Sequence, residues 1–203
     1  MKINDMNQYN YTQDLFLNLP QTVLLVGNGK MENKGELINS YDFVIRFNDF
    51  QIEGYEEHVG TKVDAISLHC SDFTYPHTKS MEKNYFRYKD IIPIFTTAPF
   101  FTYSKKDILH LQPNTKLLDV FLPIINNPEL RLSSGVTLII NLSLLFSKNV
   151  HLIGFDFMES GHYYDSSFSN ERFWKSMGVL VPGHNGNYEK HIISNIKNVK
   201  VLN

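Results

Sequence analysis

Apolar residues in this chain gather in short unbroken runs, each closed by Gly, Asn, Asp or Pro. Between them lie stretches whose apolar residues are spaced three and four apart. The first run, "TVLLVGNG" (Thr22–Gly29), predicts a buried strand ending in a glycine-flanked turn. Further strands are expected at "DFVIRFN" (Asp42–Asn48), "KVDAISLH" (Lys62–His69), "IIPIFTT" (Ile91–Thr97), "TKLLDVFLP", "NVHLIGFDF" (Asn149–Phe157) and "NVKVLN". Pro93 suggests that the fourth is frayed or at an edge. Helical spacing appears in "ELINSY", "KSMEKNYFRYK", "SKKDILHL" with Ser104 as its cap, Ser133–Lys148 and "YEKHIISNI".

Strands alternating with helices predict an α/β class. The expected architecture is a single Rossmann-like domain over residues 1–203, with a mostly parallel sheet of about seven strands flanked by helices. Residues 1–20 are an N-terminal extension and 158–187 a loop or lid. The turns after strands one and six end at the carboxyl edge, where such sheets bind ligands.

Composition narrows the function. Apolar residues are 42% of the chain, enough for a full core, and the net charge is -2. A general nucleic-acid binder needs a basic face to displace counterions, so that class is set aside. The single cysteine, Cys70, rules out an internal disulfide. The N-terminal stretch lacks a signal-peptide pattern, and no apolar run reaches the length of a membrane helix. A cytoplasmic protein is expected, with peripheral contact at the inner face of the membrane left open.

"GNGKMENKG" is not a dinucleotide fingerprint, because Glu32 stands where a third glycine is needed, and it is not a P-loop either. Two readings of the turn stay open. Gly27 and Gly29 could let a ligand approach while Asn28 projects toward it, or the turn could be a plain one. Arg46 and Asn48 alternate with apolar neighbours, so they share one strand face. They could clamp a base, ribose or phosphate, or could end the strand in water. "RLSSG" opens a helix, where unpaired N–H groups favour an anion; an ordinary cap is the alternative. Four of the eight histidines, His151, His162, His184 and His191, lie in or just before "GHYYDSSFSNERFWKSMGVLVPGHNGNYEKH". Trp174 packs this loop or belongs to a lid. His151 reads as a satisfied strand residue and His191 as polar helix surface.

Four segments together resemble the sialyltransferases of glycosyltransferase family 29. Val26-Gly27-Asn28, Arg46-Phe47-Asn48 and His58-Val59-Gly60-Thr61-Lys62 resemble the large motif, with His58 in place of Asp. "RLSSGVTLIINLSLLFSKNVHLIGFDF" resembles the small motif, "HYYD" (His162–Asp165) the third, and "HNGNYE" (His184–Glu189) the very small one. The layout is also similar to the bacterial family 42 sialyltransferases, and the resemblance implies a variant GT-A-like fold, with residues 1–203 a single glycosyltransferase catalytic domain and 158–187 its active-site loop or lid. The disulfide and N-terminal membrane anchor of animal members have no counterpart here, which fits a bacterial-type cytoplasmic enzyme of capsule or lipooligosaccharide synthesis.

The resemblance implies inverting transfer of sialic acid or a related nonulosonic acid from a CMP-sugar to a hydroxyl of a glycan or lipid-linked glycan. His184 is the implied general base, since the unperturbed pKa of a histidine side chain suits the task. Glu189 supports it or favours the start of the last helix. Tyr163, Tyr164 and protonated His162 would donate to the departing phosphate. Gly27, Asn28, Gly29, Arg46, Asn48, Arg131, Ser133, Ser134, Gly135, Phe155 and Asp156 would bind the donor. No Asp-x-Asp pair occurs in the chain, so neither a metal nor another cofactor is expected. The alternatives are a CMP-Kdo-dependent transferase, a CMP-sugar binding module without turnover, and a zinc hydrolase built on His162, His184 and His191. The last lacks any recognisable ligand spacing.

Overall fold

The computed structural model describes residues 14–68, 76–96, 117–119, 132–157, 159, 161–165 and 185–202. Seven strands form one parallel sheet: β1 Thr22–Val26, β2 Val44–Phe47, β3 Ala65–Leu68, β4 Ile94–Thr96, β5 Leu117–Asp119, β6 Asn149–Ile153 and β7 Val199–Val201. Their order is β5-β4-β3-β2-β1-β6-β7. The chain works outward from β1 in one direction and then returns to β1's other side with β6. That reversal makes a topological switch point at the carboxyl ends of β1 and β6, the place where sheets of this kind bind ligands. The helices are α1 (residues 14–18), α2 Gly35–Asn39, α3 Glu56–Val59, α4 Pro76–Tyr88, α5 Ser134–Ile140 and α6 Gly186–Ser194.

Burial on both faces explains why the strand sequences are continuously apolar rather than alternating. Leu25, Ile45, Ala65 and Phe95 pack on one side with Val136 and Ile139 of α5 and Ile193 of α6. On the other side Leu24, Val26 and Val44 meet Ile38 of α2, while Ile66, Leu68 and Ile94 meet Met81 and Tyr85 of α4. Phe16 of α1 is buried, stacks on Phe95 at 5.2 Å and tilts against Phe146 at 4.8 Å. Residues expected to be an extension therefore contribute to the core. Lys148 ties them down, since its buried ammonium donates to Leu17 O at 3.0 Å and Leu19 O at 2.7 Å.

Two expectations change, and one short helix was not foreseen. Strand β4 is interior, between β3 and β5, and Pro93 stands just before its first residue, where a missing N–H does no harm. The helix expected over Ser133–Lys148 is α-helical to Ile140 and widens into a π-helix over Asn141–Leu145. Asn141 and Ser143 each return a side-chain hydrogen bond to the preceding turn, at 2.8 and 2.6 Å, which competes with regular winding. The short helix α3 carries no apolar repeat long enough to be read from sequence. The helix expected at "SKKDILHL", together with Cys70 and Trp174, lies outside the described residues.

Candidate active site

Three strand ends and one hairpin build the carboxyl edge. Gly27 N donates to Ile153 O at 2.8 Å and Gly29 N to Gly154 O at 2.9 Å, so the turn after β1 is zipped to the turn after β6. A Cβ on Gly27 would collide with the Gly154 carbonyl, and one on Gly29 would lie 2.7 Å from the same oxygen. These glycines thus serve an approach of backbone to backbone, where the sequence had left open approach to a ligand or a plain turn. Asn28 does sit at the edge. Its Nδ2 donates to Phe47 O at 3.2 Å, while its Oδ1 is buried with no hydrogen-bond partner among the described residues.

Arg46 departs from the expected clamp. It is fully buried. Its Nε donates to Lys62 O at 2.9 Å, and one terminal nitrogen donates to Val59 O at 2.6 Å and Gly60 O at 3.2 Å. The guanidinium lies 5.6 Å from the centre of the Phe50 ring. Burial pushes its pKa down to about 10, opposed by Tyr163 and Tyr88, so it stays charged at neutral pH. Arg46 holds the 59–62 segment by its carbonyls. The two parts of the presumed large motif are therefore joined inside the fold. His58, in the same segment, accepts from Asn33 N at 3.2 Å.

Beyond β2 the chain turns through Asn48, which has a positive φ of 53°. Asn48 N donates to Ser67 O at 2.9 Å. Asn84 of α4 donates through Nδ2 to both Asn48 O and Phe50 O, at 3.0 Å each. The residue between those two carbonyls is Asp49, which no sequence pattern singled out.

The "HYYD" segment docks onto this turn. His162 and Asp165 pair as an antiparallel bridge. Tyr163 N donates to Asn28 O at 2.9 Å. The Tyr163 hydroxyl donates to Gln51 O and accepts from Gln51 N at 2.8 Å. The Tyr164 hydroxyl donates to Asp49 Oδ1 at 2.7 Å. The Tyr163 ring lies edge-on to Tyr164 at 4.8 Å and to Tyr55 at 5.4 Å, and His162 lies 5.0 Å from Tyr164 between ring centres. Burial pushes the Tyr163 hydroxyl up to about 12 and raises that of Tyr164 further, where the Asp49 charge adds to it. Both hydroxyls stay protonated at neutral pH, and each spends its one hydrogen inside the protein, where donation to a departing phosphate had been expected. Burial lowers the His162 pKa, against the opposing charges of Asp49, Asp165 and Asp156.

The "SSG" turn is capped from within. Ser133 Oγ accepts from Val136 N at 3.4 Å and donates to Glu189 Oε2 at 2.8 Å, while Ser133 N donates to Glu189 Oε1 at 2.6 Å. Glu189, buried in the first turn of α6, thus completes a capping box across two helices. This is a third use for Glu189 beside the two expected, and it engages Ser133 with protein. Ser134 is buried at the start of α5. Gly135 faces the Phe155 ring, which a Cβ would meet at 2.7 Å. Phe155 packs there and edge-on against Phe47 at 5.6 Å, and the Asp156 carboxyl sits beside Gly29. His191 is exposed, and His151 Nδ1 pairs with the Tyr41 hydroxyl at 2.6 Å. His184, Arg131 and most of the 158–187 loop lie outside the described residues. Among the described residues no three of His, Cys, Asp or Glu are grouped to hold a metal ion, and no helix is long and apolar enough to cross a membrane.

The family model of glycosyltransferase family 29 (sialyltransferase) matches residues 21–91. The family 29 match runs from β1 through α4, so it takes in the VGN turn, Arg46-Phe47-Asn48 and the 58–62 segment. The other three motifs lie beyond it. No curated protein sequence matches the chain. Among solved structures, a mammalian sialyltransferase in complex with Gal-beta-1-3GalNAc-ortho-nitrophenol is similar at 17% identity and a TM-score of 0.56, over 100% of this chain and 86% of that one. The apo alpha-2,3-sialyltransferase of Campylobacter jejuni is similar at 20% identity and a TM-score of 0.53, over 90% of this chain and 75% of that one. At these identities the structural likeness speaks for the fold. The family model is that of one enzyme class, the glycosyltransferases.

Proposed function

We propose that this protein is an inverting, metal-independent glycosyltransferase that moves sialic acid or a related nonulosonic acid from a CMP-sugar to a hydroxyl of a glycan or lipid-linked glycan. The observation that carries the reading is the docking of "HYYD" on the Asn28 turn and the post-β2 turn, at the switch point where such sheets bind nucleotides. Segments far apart in sequence, each resembling a family motif, meet there.

Asn28, with its Oδ1 unpartnered among the described residues, and the turns around Asn48 and Asp156 line the donor side. The departing CMP is a monophosphate, so hydrogen-bond donors suffice where a diphosphate would call for a metal. His162 supplies a donor beside the leaving group, where charge builds up as the glycosidic bond breaks, while Tyr163 and Tyr164, whose single hydrogens go to Gln51 O and Asp49 Oδ1, hold the hairpin in place. His184 takes the proton of the acceptor hydroxyl as it attacks from the opposite face. The enzyme works in the cytoplasm, with an acceptor presented at the inner face of the membrane.

A donor panel of CMP-Neu5Ac, CMP-pseudaminate and CMP-Kdo, assayed with chelator present, tests the reading. Transfer or donor hydrolysis with one of the first two is expected, and His184→Ala should abolish turnover while CMP still binds. Turnover with CMP-Kdo alone would move the donor class. Binding without turnover in the wild type would reduce the protein to a CMP-sugar binding module.

A further inference from the structure

The geometry points to Asp49 as a positioning residue: its carboxylate fixes the Tyr164 hydroxyl and, through the Tyr164 ring, sets the imidazole of His162 over the carboxyl edge of the sheet. The role given to His162 rests on the function proposed above; the arrangement itself does not.

The chain of contacts starts in the core. Asn84 is buried on α4 and holds the carbonyls on either side of Asp49. Asn48 N is tied to β3 through Ser67 O, and Phe50 N donates to Phe47 O at 3.3 Å. Asp49 is thus presented from a turn fixed on both flanks. Its Oδ1 receives the Tyr164 hydroxyl at 2.7 Å, and the Tyr164 ring is the neighbour of His162. The adjacent Tyr163 is anchored differently, to the backbone of Gln51 and Asn28. Two neighbouring tyrosines of one hairpin therefore use a neutral and a charged partner.

A backbone carbonyl holds the Tyr163 hydroxyl adequately. A carboxylate at a part-buried position costs desolvation that a carbonyl does not, so its charge invites a use of its own. The charges facing His162 are Asp49 from the post-β2 turn, Asp156 from the post-β6 turn and Asp165 from its own hairpin. Asp165 is exposed and screened by water, and Asp156 lies beside Gly29. Asp49 joins charge and orientation in one residue, because it also grips the ring that packs on His162.

The test is an NMR titration of the His162 imidazole in the full chain without ligand, for wild type, Asp49→Asn and Tyr164→Phe, with melting curves to confirm folding. Asp49→Asn should move the midpoint down by about half a pH unit, since a favourable negative charge is lost. Tyr164→Phe keeps the charge and cuts the link. Its midpoint should stay near that of wild type, while the imidazole resonances shift or broaden as the ring loses its fixed orientation. In donor hydrolysis, Asp49→Asn should lower kcat about tenfold with donor KM changed less than about threefold, as loss of a transition-state contact requires. An unchanged midpoint in Asp49→Asn, or unchanged imidazole resonances in Tyr164→Phe, overturns the inference. If wild type fails to bind CMP, the proposed function falls, and the imidazole titration still decides the role of Asp49.

Discussion

Strand β2 ends in two polar devices three residues apart, and they do opposite things. Arg46 is sealed in the core and donates to three backbone carbonyls of the 59–62 segment. Asp49 stands on a pinned turn at the carboxyl edge and grips a hydroxyl of the site hairpin. Both neighbour the same sequence motif. A residue in a motif can thus be kept for the fold that presents the site, with its neighbour facing the chemistry. Burial separates the two cases more sharply than residue type does.

The largest effect that would sharpen this contrast is on stability at Arg46. Arg46→Met removes the guanidinium donors to the carbonyls of Val59, Gly60 and Lys62, and unfolding in urea should show a loss of about 3 kcal/mol or more. A loss under about 1 kcal/mol with abolished CMP binding would instead make Arg46 a ligand contact. Next comes Gly27→Ala, whose added methyl meets the Gly154 carbonyl. About 2 kcal/mol of destabilisation is expected, with the turns after β1 and β6 forced apart. Glu189→Gln should cost about 1.5 kcal/mol, because one of its two oxygens facing Ser133 becomes a donor. If Glu189 serves only to orient His184, that variant would lose activity and keep its stability.

The smallest effect lies at alkaline pH. The Tyr163 hydroxyl is raised from 10.0 to about 12 in the folded protein, chiefly by burial. Its contribution to stability is complete below pH 10 and is lost as pH rises through about 12, since the folded state holds the proton longer than the unfolded one. Unfolding curves across that window should slope downward in wild type and less steeply in Tyr163→Phe. Equal slopes would place the Tyr163 hydroxyl in water.

Much of this was legible before any coordinates. Apolar runs closed by glycine marked the strands because both faces of the sheet are covered, and the resemblance of "HYYD" and "VGNG" to family motifs flagged segments that do meet. What stayed hidden depends on partners distant in sequence. The spacing of Arg46 placed it on a face but could not reveal that the face is closed by residues 59–62. Gly27 announced a close approach without saying that the approaching group is Gly154. No sequence pattern singled out Asp49, since its partner lies 115 positions away in a different motif. Glu189 was noticed for its spacing from His184, yet it reaches back to Ser133 across two helices. Such contacts follow from topology, which local pattern does not encode.

The most direct measurement is a CMP titration of the full chain with chelator present, followed residue by residue by NMR. The account predicts saturable binding with resonances of Asn28, Asp49, His162, Tyr163 and Tyr164 moving together, and with the amino edge around Gln21 and Phe43 unchanged. Absence of binding, or shifts confined to that amino edge, would contradict it.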